Sequence, residues 1–328
     1  MRASRVVAGS GGVAATSRRT LRVLSHLPRA SVEQLAGPLP DVEIIEVPRE
    51  GEPPPDVRGE VLLTFAWGSP NLALLARRGV RWIHTIGTGV DRFPLDAVGD
   101  RILTCSRGAS AIPIAEWTLA MLLAFEKRLP ESWIERPPER WNQAELGGLA
   151  GRTLGLVGLG GIGTAVARRA LGFEMRVSAL RRSGGPSPLP GVEISADLAE
   201  LLGSADHIVI AASATPETRH LIGREALAHL RAGVHLVNVS RGSLVDQEAL
   251  RLALDAGRVA RASLDVCDPE PLPAGHWLYS HPRVRLSPHI SWSAPGALER
   301  LFATFAENLR RFREGRPLQG RVDLERGY

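Results

Sequence analysis

Leu154-Gly155-Leu156-Val157-Gly158-Leu159-Gly160-Gly161-Ile162-Gly163-Thr164-Ala165-Val166-Ala167 is the stretch on which the fold turns. Thr153–Val157 is an apolar, strand-like run. Glycines follow at 158, 160 and 163 in GxGxxG spacing, and Thr164–Leu171 has helical character. The first glycine permits a tight turn, the second lets backbone approach a pyrophosphate, and the third lets helix pack closely on strand. The N–H groups of Gly161 and Ile162 would then point out of a helix N-terminus, where an anionic group is favoured. A lone GxGxxG marks only a glycine-rich turn. Between a strand and a helix it predicts a dinucleotide-binding α/β unit.

Downstream, strand-like runs recur at Arg176–Leu180, His207–Ala211, His235–Val239, Ala260–Asp265 and Val284–Leu286, which makes six with Thr153–Val157. Upstream, strands are expected at Leu21–Leu24, Val42–Val47, Val61–Phe65 and Arg81–Ile86, with a helix starting near Ser31. Strands alternating with helices imply parallel sheets with crossover helices. Two long helices, Ile112–Leu129 (ended by Pro130) and Pro295–Glu314, are suited to bridge two domains, and 328 residues suffice for two.

Composition excludes several classes. No apolar run reaches the roughly 18 residues of a membrane span. Only Cys105 and Cys267 are present, without CxxC, and no HxxxH or HEXXH occurs, so no metal is expected and a reducing, cytoplasmic compartment is. Net charge is +5, but residues 1–32 hold Arg2, Arg5, Arg18, Arg19, Arg22 and Arg29 and no acid, so the rest is near neutral. No basic cluster with interleaved aromatics follows, and nucleic acid is not an expected partner. Residues 1–19 are expected to be a flexible leader, with a transit peptide the other possibility for that composition.

The end of the second downstream strand bears on the cofactor. NAD binders usually place an acid there for the ribose 2′-hydroxyl. Here Arg181, Arg182 and Ser183 stand instead. Guanidinium groups suit a 2′-phosphate, so NADP(H) is expected over NAD(H), unless both arginines are solvated loop charges.

Polar groups cluster where open α/β sheets build their sites, at strand C-termini. They are Asn238-Val239-Ser240-Arg241-Gly242, Asp265-Val266-Cys267-Asp268-Pro269-Glu270-Pro271, and Ser287-Pro288-His289-Ile290-Ser291-Trp292. With Gly87-Thr88-Gly89-Val90-Asp91, Ala115-Glu116 and Thr215-Pro216-Glu217-Thr218, the chain resembles the D-2-hydroxyacid dehydrogenases, the family of phosphoglycerate, glyoxylate and hydroxypyruvate reductases, from about Leu21 to Arg313.

That resemblance implies a Rossmann-type doubly wound domain (113–294) inserted in a flavodoxin-like substrate domain (20–112 and 295–328), and a homodimer. It makes Arg241, Glu270 and His289 the catalytic set, and Thr88 and Gly89, with Arg241, the substrate-carboxylate site. Gly158, Gly160, Gly161, Ile162, Gly163, Arg181, Arg182, Ser183, Pro216, Thr218, Val239, Asp265 and Ser291 would line the cofactor.

The residue types fit. An imidazole with an ordinary pKa near 6.5 is a neutral-pH proton donor, and a carboxylate beside it favours its charged form. An arginine supplies fixed donors to a carboxylate and a developing oxyanion. Asp265 could instead be a capping group, and Pro216 to Thr218 a helix-start turn. Glu116 is read as structural. Where relatives carry Pro-Gly-x-Asn, this chain has Arg107-Gly108-Ala109-Ser110. Gly161 replaces a common arginine. Trp292 is large where small residues are common, and could roof the pocket or pack against the last helix. Trp141 lies in a loop that in related reductases reaches a partner subunit.

The expected function is NADPH-dependent reduction of a short 2-keto acid such as glyoxylate or hydroxypyruvate. The alternatives are an NAD-dependent enzyme acting on a larger or phosphorylated hydroxy acid, and a nucleotide-sensing, corepressor-like interaction protein.

Overall fold

The structure, a computed structural model, describes residues 20–182 and 184–328. The leader expectation for 1–19 and the cofactor expectation for Ser183 lie outside the described residues.

Two parallel sheets carry the chain. The first holds β1 (Leu21–Ser25), β2 (Val42–Glu46), β3 (Val61–Phe65), β4 (Trp82–Ile86) and β5 (Ile102–Cys105), in the order β2-β1-β3-β4-β5. The second holds β6 (Thr153–Val157), β7 (Arg176–Leu180), β8 (Val192–Ile194), β9 (His207–Ile210), β10 (Val234–Asn238), β11 (Val259–Leu264) and β12 (Val284–Leu286), in the order β12-β11-β10-β9-β6-β7-β8. The first order is flavodoxin-like. The second is doubly wound, with its switch point where β6 lies between β7 and β9. Helices α1 (Arg29–Ala36), α2 (Leu72–Ala76), α3 (Ala111–Glu126), α4 (Gly161–Gly172), α5 (Leu198–Ser204), α6 (Arg224–Ala228), α7 (Gln247–Asp255) and α8 (Ala297–Arg313) cover them.

Parallel strands buried on both faces need continuous apolar runs, and β6 and β10 are buried at every position. In the first sheet the two-residue period sorts side chains onto opposite faces. Leu24, Leu62, Ile83 and Leu103 share one core with Phe93 and Val322. Val23, Val61, Leu63 and Trp82 share the other with Leu301, Phe302 and Phe305 of α8. Burying each such aromatic contributes about 1.5–3 kcal/mol. Helix α3 carries the chain out of the first sheet and packs Ile114, Leu119 and Leu122 with Val166 and Ala167 of α4; α8 brings it back.

Three short elements, β5, α2 and β8, differ from the sequence expectation, so the second sheet has seven strands rather than six. β8 is a three-residue edge strand with one buried side chain, too short to show periodicity. Helix α3 ends at Glu126, not Leu129. Arg128 turns left-handed (φ 51°), and Leu129 precedes a proline, where helical backbone is disfavoured. Among the described residues, no helix is long and apolar enough to cross a membrane.

Candidate active site

The glycine turn leaves β6 at the switch point. Gly158 has φ 106°, and a Cβ there would lie 2.8 Å from the Ala212 nitrogen on the strand end next door. A Cβ on Gly163 would lie 2.1 Å from the Gly158 carbonyl oxygen, so only glycine lets α4 start this close. Gly160, the N-cap of α4, offers no side-chain cap, and a Cβ there would meet nothing within 4 Å. The first N–H groups of a helix have no acceptor within it. The open space beside Gly160 at this helix start fits a pyrophosphate.

β10 delivers Arg241. The Asn238 side chain shapes its turn, donating to the Arg241 carbonyl (2.8 Å) and accepting the Ser240 N–H (3.1 Å). The guanidinium reaches from the seven-stranded sheet to the loop after β4. Its Nε donates to Asp91 Oδ1 at 3.0 Å, and its Nη2 occupies the place of a Gly89 side chain, where a Cβ would come within 1.8 Å. Gly242 makes a second close approach, since a Cβ on it would strike the Cys267 carbonyl carbon at 1.9 Å. That contact sets the Arg241 turn against the loop bearing Glu270.

Glu270 and His289 form a pair. His289 Nδ1 and Glu270 Oε2 are 3.0 Å apart, and Glu270 Oε1 accepts the Cys267 N–H at 3.1 Å. Burial pushes the Glu270 carboxyl up. The hydrogen bonds from His289 and Cys267 and the charges of His289 and Arg241 outweigh it, leaving the carboxyl below the ordinary range. The same loop pushes the Cys267 thiol up to about 11, by burial and then by the Glu270 and Asp268 charges, so at neutral pH it is not a thiolate nucleophile. The His289 side chain is 40% exposed, which leaves its Nε2 edge reachable. His289 has φ 55°, and its N–H donates to the Asp265 carbonyl at 2.9 Å. Among the described residues, no group of three or more His, Cys, Asp or Glu could hold a metal ion.

The family profile for D-isomer specific 2-hydroxyacid dehydrogenase, NAD binding domain, matches residues 119–291. A glyoxylate reductase from Thermofilum pendens is 35% identical over 249 residues, covering 71% of this chain and 72% of that protein. The chain belongs to the D-isomer-specific 2-hydroxyacid dehydrogenase family. A D-3-phosphoglycerate dehydrogenase from Bacillus subtilis is 34% identical over 244 residues, 73% of this chain; the match spans only 46% of that protein. The structure of a D-isomer specific 2-hydroxyacid dehydrogenase from Xanthobacter autotrophicus Py2, in complex with NADPH and MES, is 30% identical, with a TM-score of 0.79 over 94% of this chain and 100% of that one. An NADPH-dependent glyoxylate/hydroxypyruvate reductase from Sinorhizobium meliloti, in complex with NADP and sulfate, gives the same TM-score and coverage at 25% identity.

For a dehydrogenase of this family, the structure brings Arg241, Glu270, His289 and the Gly89 loop together. It sets other candidates behind the surface. Asp265 is 1% exposed, and its carboxylate accepts the Ser287 hydroxyl (2.6 Å) and the N–H groups of Ile290 and Ser291 (each 2.9 Å), the contacts of a capping group. Ser291 and Val239 are also buried. Trp292 donates its indole N–H to the His289 carbonyl (3.0 Å) and packs beside α3 and α4. Pro216–Thr218 forms a 3₁₀ turn in which the Thr218 hydroxyl is bound to Ser213 and Thr215. Arg181 donates to the Pro186 carbonyl at 2.8 Å, whereas Arg182 lies over the Tyr328 ring. Glu116 pairs with Arg169 between α3 and α4. Two residues sequence reasoning left without a role are Asp91, the last residue of a motif already singled out, and Gly242, whose only signal was its place after Arg241.

Proposed function

We propose that the chain reduces a short 2-keto acid, such as glyoxylate or hydroxypyruvate, to the D-2-hydroxy acid, using NADPH in preference to NADH. The carrying observation is that the Arg241 guanidinium lies against Gly89 while the same side chain's charge reaches the Glu270–His289 pair. Bound NADPH supplies the hydride that adds to the carbonyl carbon. His289 gives the proton to the carbonyl oxygen from Nε2, while Glu270 holds Nδ1 and orients the ring. Arg241, with Nε tied to Asp91 and Nη1 to the Ser240 carbonyl, keeps its Nη2 edge for the substrate carboxylate and the charge developing on oxygen. Backbone N–H groups at Thr88 and Gly89 complete the carboxylate site. The cofactor preference is supported by Arg182, just past the end of β7 and stacked on the Tyr328 ring, and by relatives bound to NADPH or NADP.

The working unit is a homodimer in the cytoplasm, with residues 20–112 and 295–328 as substrate domain and 113–294 as cofactor domain. The loop with exposed Trp133 and Trp141 supports the dimer. The phosphoglycerate dehydrogenase match favours a second reading, an NAD-dependent enzyme for a phosphorylated hydroxy acid. Steady-state oxidation of NADPH and NADH with glyoxylate, hydroxypyruvate, pyruvate and phosphohydroxypyruvate decides between them. Fastest NADPH loss with glyoxylate or hydroxypyruvate supports the proposal; NADH loss confined to the phosphorylated acid replaces it. Tight cofactor binding without any turnover would favour a sensing role.

A further inference from the structure

We infer that Tyr328 is a positioning residue for cofactor choice, holding Arg182 in place for a phosphate on the adenosine ribose. The inference rests on the proposed use of NADPH. The Arg182 guanidinium carbon stands 3.9 Å from the centre of the Tyr328 ring, a stacked contact between the two sheets' parts of the molecule. Arg182 follows the end of β7, the strand whose C-terminus meets the adenosine ribose in a doubly wound sheet. Tyr328 belongs to a segment fastened to the five-stranded sheet.

That fastening is built, not incidental. The Cys105 N–H donates to the Gly320 carbonyl and the Val322 N–H to the Leu103 carbonyl, each at 2.9 Å, so the segment pairs with β5. The Val322 side chain is buried in the first sheet's core. Asp323 then closes a turn. Its Oδ1 accepts the N–H groups of Glu325 and Arg326, and its own N–H donates to the Tyr328 carbonyl at 3.0 Å. The ring therefore arrives at Arg182 on a braced turn.

Stacking is the right support for such a task. A guanidinium lying on a ring face stays charged and keeps its N–H groups pointing outward in its own plane, free for a bidentate grip on phosphate. A carboxylate partner would consume those same donors. Arg181 is held differently, with Nη1 donating to the Pro186 carbonyl of its own loop. The two arginines that looked equivalent in sequence thus differ: one is tied to its loop, the other is presented.

The test compares dissociation constants and KM for NADPH and NADH in the full chain, in Arg182→Ala, Tyr328→Ala and Tyr328→Phe, and in the double variant Arg182→Ala/Tyr328→Ala. Tyr328→Ala is expected to weaken NADPH by about threefold to tenfold and leave NADH unchanged. Tyr328→Phe restores NADPH binding, since the ring face and not the hydroxyl is used. In the Arg182→Ala background, removing Tyr328 costs nothing further. Equal loss of both cofactors, no loss, or a full further loss without Arg182 overturns the role of Tyr328. Should Tyr328→Ala fail to fold, Tyr328→Leu, which keeps apolar bulk without a π face, reads the same difference. If Arg182→Ala itself leaves NADPH binding intact, the underlying phosphate assignment fails; if it weakens NADPH and the tyrosine variants do not, only the positioning role fails.

Discussion

From the seven-stranded sheet the cleft receives a guanidinium, a carboxylate and an imidazole, all on loops after strand C-termini. From the five-stranded sheet it receives a glycine loop, Gly87–Gly89, and one carboxylate, Asp91. One side brings the side chains proposed to react; the other brings close backbone and an anchor for Arg241. Substitutions on the two sides should therefore fail differently. On the first, loss of a side chain removes chemistry. On the second, gain of a side chain removes space.

The largest effect tests the first side. His289→Ala removes the proposed proton donor and Arg241→Ala the proposed oxyanion and carboxylate donors, and each should lower kcat by about 10²–10⁴. Neither residue belongs to the glycine cradle, so NADPH binding followed by fluorescence should survive. Near-normal turnover in both variants would end the assignment.

Gly89→Ala tests the second side. Its Cβ would fall 1.8 Å from Arg241 Nη2, the far end of a flexible side chain, so the arginine moves and the fold stays. Displacing a positioned group by about 1 Å costs on the order of 10²-fold, here in kcat/KM with an unchanged Tm. Gly163→Ala makes the contrast. Its Cβ would meet the Gly158 carbonyl, which is backbone and cannot swing away, so cofactor binding and Tm should fall together. If Gly89→Ala lowers Tm as much as Gly163→Ala, the distinction between the two sides is wrong.

Acid acts on both sheets through their buried histidines. In the five-stranded sheet, burial lowers His84 to about 3, and burial together with the Arg49 charge lowers His26 to about 4 against a hydrogen bond to Asn71 that favours the charged ring. Both are neutral in the folded chain near pH 7. Below about pH 6.5 the unfolded chain takes up protons that the folded chain refuses. Stability present above that pH is then lost at about 1.4 kcal/mol per unit and per histidine, until pH nears each native value. At pH 5 this amounts to about 2 kcal/mol for each. Burial also depresses His235 in the seven-stranded sheet, and Glu270 adds a loss lower down, as pH falls through its depressed native range. A His26→Gln/His84→Gln variant should have a shallower fall of Tm between pH 7 and 5 than the parent. An unchanged slope would show that these two sites are not the acid-sensitive ones.

What the sequence showed and what it hid follow the same division. Thr153–Val157 and the GxGxxG turn were readable because each glycine answers a local steric demand within a few residues. Arg241, Glu270 and His289 stood out because each follows a strand end beside a glycine or proline, and the family resemblance named their expected roles. The pairing of Arg241 with Asp91, 150 residues away, was not, because it depends on how the two sheets face each other. Nor was the stacking of Arg182 on Tyr328, for the same reason. β5 and β8 escaped because four and three residues cannot display a period. The five-stranded side works through backbone, which has no residue signature beyond the glycines that make room for it.

Asp91 is where the two sides meet, and it carries the smallest expected effect. Its carboxylate accepts Arg241 Nε at 3.0 Å, with both side chains partly exposed, at 30% and 23%. An exposed pair of this kind contributes about 0.2–1 kcal/mol, screened by salt. Asp91→Asn keeps an acceptor oxygen and removes the charge; Asp91→Ala removes both. If the five-stranded side serves to place the guanidinium, kcat/KM should stay within about fivefold of the parent in Asp91→Asn and fall further in Asp91→Ala. If Asp91 instead acts as a counter-charge, the two variants should be equally impaired, and their difference from the parent should shrink as salt is raised. The Asn-to-Ala gap at low and high salt thus separates anchoring by geometry from anchoring by charge.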